Sequence, residues 1–284
     1  MSLALDRVKG VAGVGHPFYI APPPRSERVP VTIVDTHCHT GIHKYEPVEA
    51  LLFHMERAGV DKAVLIQHAG ETDNGYHIEC LDRHPGRFVS AMVVEPEDDG
   101  SKIRAWAERG IIGIRLPIAS RAQAADPLAQ WRTAAELDLV VSAQSTPAAL
   151  LSEDFAEVLA KFPELSIVIE HLAGVGNDAA PPYEDFTRVL ALAEYPNLSI
   201  KLPGFGEFCA LPHPFRDVPP LAEMAIDAFG PSRVMWGSDW PVCLLAADYN
   251  TVLDIALDAM GSMSDKDRHR FLSGSASEFY RISK

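Results

Sequence analysis

Eight short apolar runs punctuate the chain at near-regular intervals. They are VTIVDTH (31–37), DKAVLIQ (61–67), RFVSAMVV (87–94), GIIGIRL (110–116), LDLVVSAQ (137–144), ELSIVIEH (164–171), NLSIKL (197–202) and RVMWGSD (233–239). Most carry β-branched residues, and all are nearly continuous in apolar character, as strands buried on both faces are. Helical patterns lie between them. PVEALLFHMERAG places Val48, Leu51, Leu52, Met55 and Ala58 on one face, with Gly59 as the stop. GYHIECLDRHPG, SKIRAWAERG, DPLAQWRTAAEL, SEDFAEVLAKFP, YEDFTRVLALAEYP and PPLAEMAIDAFG fill the later slots, and two more helices, YNTVLDIALDAMG and DKDRHRFLSGSASEFY, close the chain.

Strands alternating with helices eight times predict an α/β protein, a single-domain (β/α)8 TIM barrel over residues 31–284. A doubly wound open sheet is the competing fold. No glycine-rich phosphate loop follows the first strand, which disfavours it. Polar residues also stand at the strand ends: His37, Gln67, Arg115, Gln144, His171, Lys201 and Asp239. In a barrel those C-terminal ends converge on one mouth, where active sites are built. Residues 1–30 differ from the rest. HPFYIAPPPRSERVP is proline-rich and aperiodic, so an extended N-terminal arm is expected, suited to wrapping the body or a neighbouring subunit of a homodimer.

The net charge of −14 argues against nucleic acid or an anionic membrane as partner, because both need a basic footprint. A small anionic substrate held by a local arginine stays compatible with it. The four cysteines form no CxxC pair, no signal-like segment opens the chain, and no apolar stretch approaches the roughly eighteen residues of a membrane span. A soluble cytoplasmic protein is the expectation.

VDTHCHT (34–40) puts His37 and His39 one residue apart at the end of the first run, on one face of an extended strand. Cys38 between them faces the opposite way, toward the core. DTHCH, IEHLAG on the sixth run and WGSDWP on the eighth, in that order and at barrel spacing, resemble the amidohydrolase superfamily. More narrowly they resemble its amidohydrolase-2 branch, which includes sugar-lactone and pyrone-dicarboxylate lactonases and metal-dependent decarboxylases. DNGY after the second run, GIRL on the fourth and LSGSASEFY near the end fit that branch, and the resemblance covers residues 31–284.

The resemblance implies roles. His37, His39 and Asp239 can hold a divalent metal, zinc first. Asp239 acts as general base on the attacking water, and His171 either binds metal or polarises the substrate carbonyl. Neutral imidazole is a good zinc ligand, bound metal lowers the pKa of its water to about 7, and a carboxylate in reach can relay that proton. Two-metal members carry a bridging lysine or glutamate on strand four and a histidine on strand five. Arg115 and Gln144 stand in those places, and a guanidinium cannot ligate. The expectation is therefore no metal or one divalent ion. Arg115 could instead grip a carboxylate in a bidentate fork. Gln67, His68, Asp73 and Asn74 follow the second strand and could bind hydroxyls, although Asn74 also suits an Asx turn in DNG. Gln144, Lys201 and Trp240 complete the expected substrate-binding set. The function implied is hydrolysis of a small lactone of a sugar acid or related carboxylate. A zinc-dependent non-oxidative decarboxylase, a lactone isomerase on the same site, and a barrel that only binds a ligand are the alternatives.

Overall fold

The computed structural model describes residues 32–175, 179–202, 209, 219–259 and 263–282. The expected arm, residues 1–30, lies outside them.

Eight parallel strands form one sheet in sequence order: β1 Val34–Cys38, β2 Lys62–Ile66, β3 Phe88–Met92, β4 Gly113–Pro117, β5 Val140–Gln144, β6 Ile167–Ile169, β7 Leu198–Leu202 and β8 Val234–Trp236. The sheet closes through a bridge between Cys38 and Trp240, just past the end of β8. With helices between the strands, this is the (β/α)8 TIM barrel that the eight runs predict. Side chains alternate along each strand. Val34, Val64, Ile66, Ala91, Val140, Val168 and Met235 pack with one another and with Ala276 and Tyr280 from the end of the chain. Ala63, Leu65, Met92, Val141, Ile167 and Ile200 face the other way, into the larger layer shared with the helices. Burial on both faces is why the strands read as unbroken apolar runs.

The helices follow the periodic segments. Val48–Ala58 buries Val48, Leu51, Met55 and Ala58 and stops at Gly59, which takes a left-handed φ of 69°. Glu153–Lys161 starts where Ser152 accepts the Phe155 N–H. The end of the chain is helical in three joined pieces: Asp265–His269, a π-helical turn at Arg270–Gly274, and Ser275–Phe279. No helix of the described residues is long and apolar enough to cross a membrane.

Two strands end sooner than their apolar runs, and both departures shape the mouth. The sixth run stops being strand at Ile169, and His171 (φ 49°), Leu172 (φ 48°) and Ala173 (φ 67°) turn sharply in left-handed conformation. The eighth stops at Trp236, and Gly237–Asp239 run on beside β1. Gly237 makes that approach feasible, since a Cβ there would lie 2.7 Å from the His37 Cβ. Between Asp35 and Cys38 the pairing of β1 with β2 slips by one residue, a bulge of the kind that re-aims side chains.

The seam between β1 and β8 is stitched by buried hydrogen bonds. Asp35 Oδ1 accepts the amides of His37 (3.1 Å) and Ser238 (2.9 Å), and Asp35 Oδ2 accepts the Tyr249 hydroxyl (2.7 Å). Thr36 Oγ1 donates to the Trp236 carbonyl at 2.7 Å. The Asp239 amide donates to the His37 carbonyl (2.9 Å), and the His39 amide to that of Trp240 (2.7 Å). Replacing Asp35 with alanine leaves three buried donors without an acceptor. Such a variant is expected to lose about 2–4 kcal/mol of stability in urea denaturation.

Candidate active site

His37 and His39 leave the end of β1 with their rings 4.8 Å apart, edge to face, and both are buried. Their Nε2 atoms lie 3.2 Å from each other. Asp239 Oδ1, from beyond β8, lies 3.2 Å from His39 Nε2 and 3.7 Å from His37 Nε2. Asp239 takes a left-handed φ of 59°, a conformation aspartate tolerates better than most residues. The His171 ring lies 4.3 Å from that of His37, centroid to centroid.

The hydrogen bonds behind the trio decide what it can do. His39 Nδ1 sits 2.7 Å from the Ile66 carbonyl, so it carries a proton, and in the singly protonated ring the Nε2 lone pair turns inward. That lone pair faces the carboxylate of Asp239, and two acceptors 3.2 Å apart repel unless a positive centre lies between or beside them. A proton on the Nε2 of either histidine is one such centre. A single divalent ion is the other: the ligating atoms of His37, His39 and Asp239 all lie within 4.8 Å of one another, and two imidazoles with a carboxylate suit a divalent ion. The carbonyl behind His39 is the usual outer partner of a metal-binding histidine. His37 is different, because its Nδ1 faces Lys201 Nζ at 3.3 Å and Glu170 Oε1 only at 4.0 Å. The trio can thus hold one ion by distance, with favourable support behind one histidine and a nitrogen donor behind the other.

Beneath the trio lies a chain of buried charge. Arg115 places Nε 3.1 Å from both carboxylate oxygens of Glu170 and Nη2 2.7 Å from Oε2. Ser142 Oγ donates to Glu170 Oε1 at 2.7 Å and accepts from Lys201 Nζ at 3.0 Å. Burial alone would raise the Glu170 pKa, but Arg115, His171 and Lys201 outweigh it and hold the carboxyl at about 2. Burial pulls Lys201 down to about 8, with Glu170 opposing the shift. Burial, reinforced by His171 and Lys201, holds His37 well below the ordinary imidazole range. His171 is lowered as well, by burial, against the pull of Asp239 and Glu170.

Of the residues expected from sequence, the structure brings His37, His39, His171, Asp239, Arg115 and Lys201 together. Lys201 is fully buried under His37, with its ammonium spent on His37 and Ser142. Arg115 already commits one edge of its fork to Glu170, and its Nη1 lies 3.5 Å from the Gln67 carbonyl. Asn74 is fully buried. Its amide donates to the Thr72 and Val93 carbonyls and accepts the Val93 N–H, which ties the loop after β2 to that after β3. Gln67 pins its own loop through the Asp73 carbonyl and the His68 amide. Trp240 is fully buried and contributes a backbone carbonyl to the seam. Gln144 is exposed at the end of β5, and His68 is half-buried.

Three residues outside the expected set belong to the arrangement. Glu170 directly precedes His171 in IEH, and its carboxyl was the available sequence signal. Ser142 lies two residues before Gln144 on β5. Tyr45 comes from the loop after β1, where no pattern marks it. Its ring stacks on His39 at 5.0 Å and 12°, and meets His68 at 5.4 Å. Burial raises its phenol pKa, Asp239 adds to the rise, and Arg115 opposes it.

The chain belongs to the amidohydrolase family, Amidohydro_2, whose profile matches residues 34–282. It is 32% identical over 249 residues to an L-fucono-1,5-lactonase of Burkholderia ambifaria, covering 81% of this chain and 83% of that one. It is 26% identical over 246 residues to a 4-sulfomuconolactone hydrolase of Rhizobium radiobacter, covering 77% and 80%. Among solved structures, a Burkholderia multivorans amidohydrolase with bound zinc superposes with a TM-score of 0.71 at 21% identity, over 89% of this chain and 100% of that one.

Two outcomes follow from the buried charges. Glu170→Gln strands the Arg115 guanidinium and is expected to cost about 3–5 kcal/mol in urea denaturation. Acid should also destabilise the wild type. His77, buried with Nδ1 2.8 Å from Ser90 Oγ, is lowered by burial from 6.5 to about 3, so its protonation favours the unfolded chain as pH falls through that window. Glu170 is held below its unfolded value of 4.5, so its contribution is complete above 4.5 and is lost toward pH 2. The urea midpoint is expected to be lower at pH 5 than at pH 7, and lower again at pH 4.

Proposed function

We propose that the protein opens a small lactone of a sugar acid or related carboxylate by attack of water on the ring carbonyl. The observation that carries this reading is the placement of the Asp239 carboxylate beside the inward-facing Nε2 atoms of two histidines at the barrel mouth.

Asp239 takes a proton from the attacking water as the water oxygen bonds to the carbonyl carbon. The carbonyl oxygen gains charge, and His37 and His171 act on it as hydrogen-bond donors in a site shielded from bulk water. The tetrahedral centre collapses, the ring C–O bond breaks, and the leaving oxygen takes the proton held by Asp239. That transfer returns Asp239 to its ionised form, and the product is the open hydroxy acid, whose own carboxyl proton is lost to solvent. The Arg115 N–H groups not taken by Glu170 and the Gln67 carbonyl, with the Tyr45 hydroxyl, offer donors to substrate oxygens around the reacting centre. Where an ion is bound, zinc is the first choice, held by His37, His39 and Asp239 and supplying Lewis-acid polarisation of the carbonyl. The lactone-hydrolysing relatives at 32% and 26% identity support this class of reaction.

The test is a panel of aldonolactones followed by acid release. Wild type is expected to open at least one of them. Asp239→Asn is expected to lower kcat by roughly 10²–10⁴-fold with KM little changed. An Asp239→Asn enzyme with full activity on an identified lactone would remove Asp239 from the base role.

A further inference from the structure

We propose that Lys201 is a positioning residue that fixes the proton of His37 on Nε2, so that this imidazole meets the substrate carbonyl as a hydrogen-bond donor and competes poorly as a metal ligand.

The direction of each hydrogen bond follows from the one before it. Glu170 lies in a bidentate pair with Arg115, and an ionised carboxylate only accepts. Ser142 Oγ, 2.7 Å from Glu170 Oε1, must therefore donate to it. That leaves the Ser142 oxygen to accept from Lys201 Nζ at 3.0 Å. An ammonium has donors and no acceptor, so at 3.3 Å it also donates to His37 Nδ1, which must present a lone pair. The remaining proton of the neutral ring sits on Nε2. There it lies on the inward side of the ring, 3.2 Å from His39 Nε2. His39 is held in the opposite tautomer by the Ile66 carbonyl. The two histidines of one motif thus carry different duties: His37 donates and His39 accepts.

A metal needs the His37 Nε2 lone pair, and the proton then moves to Nδ1, facing the ammonium that now donates to it. Outer partners of ligating histidines are ordinarily acceptors. Lys201 places a donor in that position and so biases the trio toward direct carbonyl polarisation. The catalytic consequence rests on the lactone reading; the tautomer does not.

The experiment is long-range ¹H–¹⁵N correlation spectroscopy of histidine-labelled, chelator-treated protein, with His37 assigned from the His37→Gln spectrum. It is paired with zinc titration of wild type, Lys201→Met and Ser142→Ala. Wild-type His37 is expected as the Nε2–H tautomer. In Lys201→Met it is expected to shift toward Nδ1–H, with zinc binding tightened by on the order of tenfold. Ser142→Ala, which frees Lys201 without removing a charge, is expected to move both readouts the same way by less. An Nδ1–H tautomer in wild type overturns the proposal. So does an unchanged tautomer and zinc affinity in both folded variants. If the tautomer behaves as expected while no lactone is opened, the lactone reading falls and the role of Lys201 stands.

Discussion

Asp35 receives the amides of His37 and Ser238 and the hydroxyl of Tyr249, and in doing so locks the first strand to the last. The rest of the site depends on that closure. His37 and His39 belong to one end of the chain and Asp239 to the other, and they meet only because the seam aligns β1 with the segment beyond β8. Gly237 brings the two backbones close, the bulge in β1 re-aims its side chains, and reciprocal amide–carbonyl bonds between His37, Asp239, His39 and Trp240 fix the register. The fold thus supplies geometry at the mouth without asking the functional side chains to hold the strands together themselves.

The second constraint is electrostatic. Arg115, Glu170 and Lys201 are buried together, and a buried charge persists only when paired and hydrogen-bonded. Glu170 is the hub of the set. It pairs with Arg115, accepts from Ser142 and, through Ser142, orients Lys201. With its carboxyl held at about 2, the hub stays ionised throughout the neutral range, and the hydrogen-bond directions above it stay constant. Structures of this kind stabilise little for the charge they bury, since a buried pair roughly balances its desolvation cost. Its return is in specification: two chemically identical imidazoles at the mouth are given different proton positions.

The barrel was legible in the sequence because its strands are buried on both faces and so read as apolar runs with polar ends. His37, His39, His171 and Asp239 stood out for the same reason, as polar residues closing apolar strands. The network beneath them was less visible. Arg115 and Glu170 pair across 55 residues of sequence, and nothing local in GIRL announces that its guanidinium is already committed. Lys201 ends its strand as a substrate-binding lysine would, yet it is fully buried with its ammonium shared by a histidine and a serine. Asn74 sits at the start of a helix in an Asx-like sequence, but its amide bridges two loops instead. Tyr45 lies in a loop, where periodicity carries no information. For Arg115, Glu170 and Lys201 the missing knowledge was a partner distant in sequence, which the closed barrel supplies.

In the proposed reaction water bonds to the carbonyl carbon as the nucleophile. That step is tested most directly by turnover in H₂¹⁸O with mass analysis of the product. One ¹⁸O in the carboxylate of the opened hydroxy acid, and none in its hydroxyl, is the result this account predicts. Label in the alcohol oxygen, or release of carbon dioxide in place of an opened acid, would contradict it.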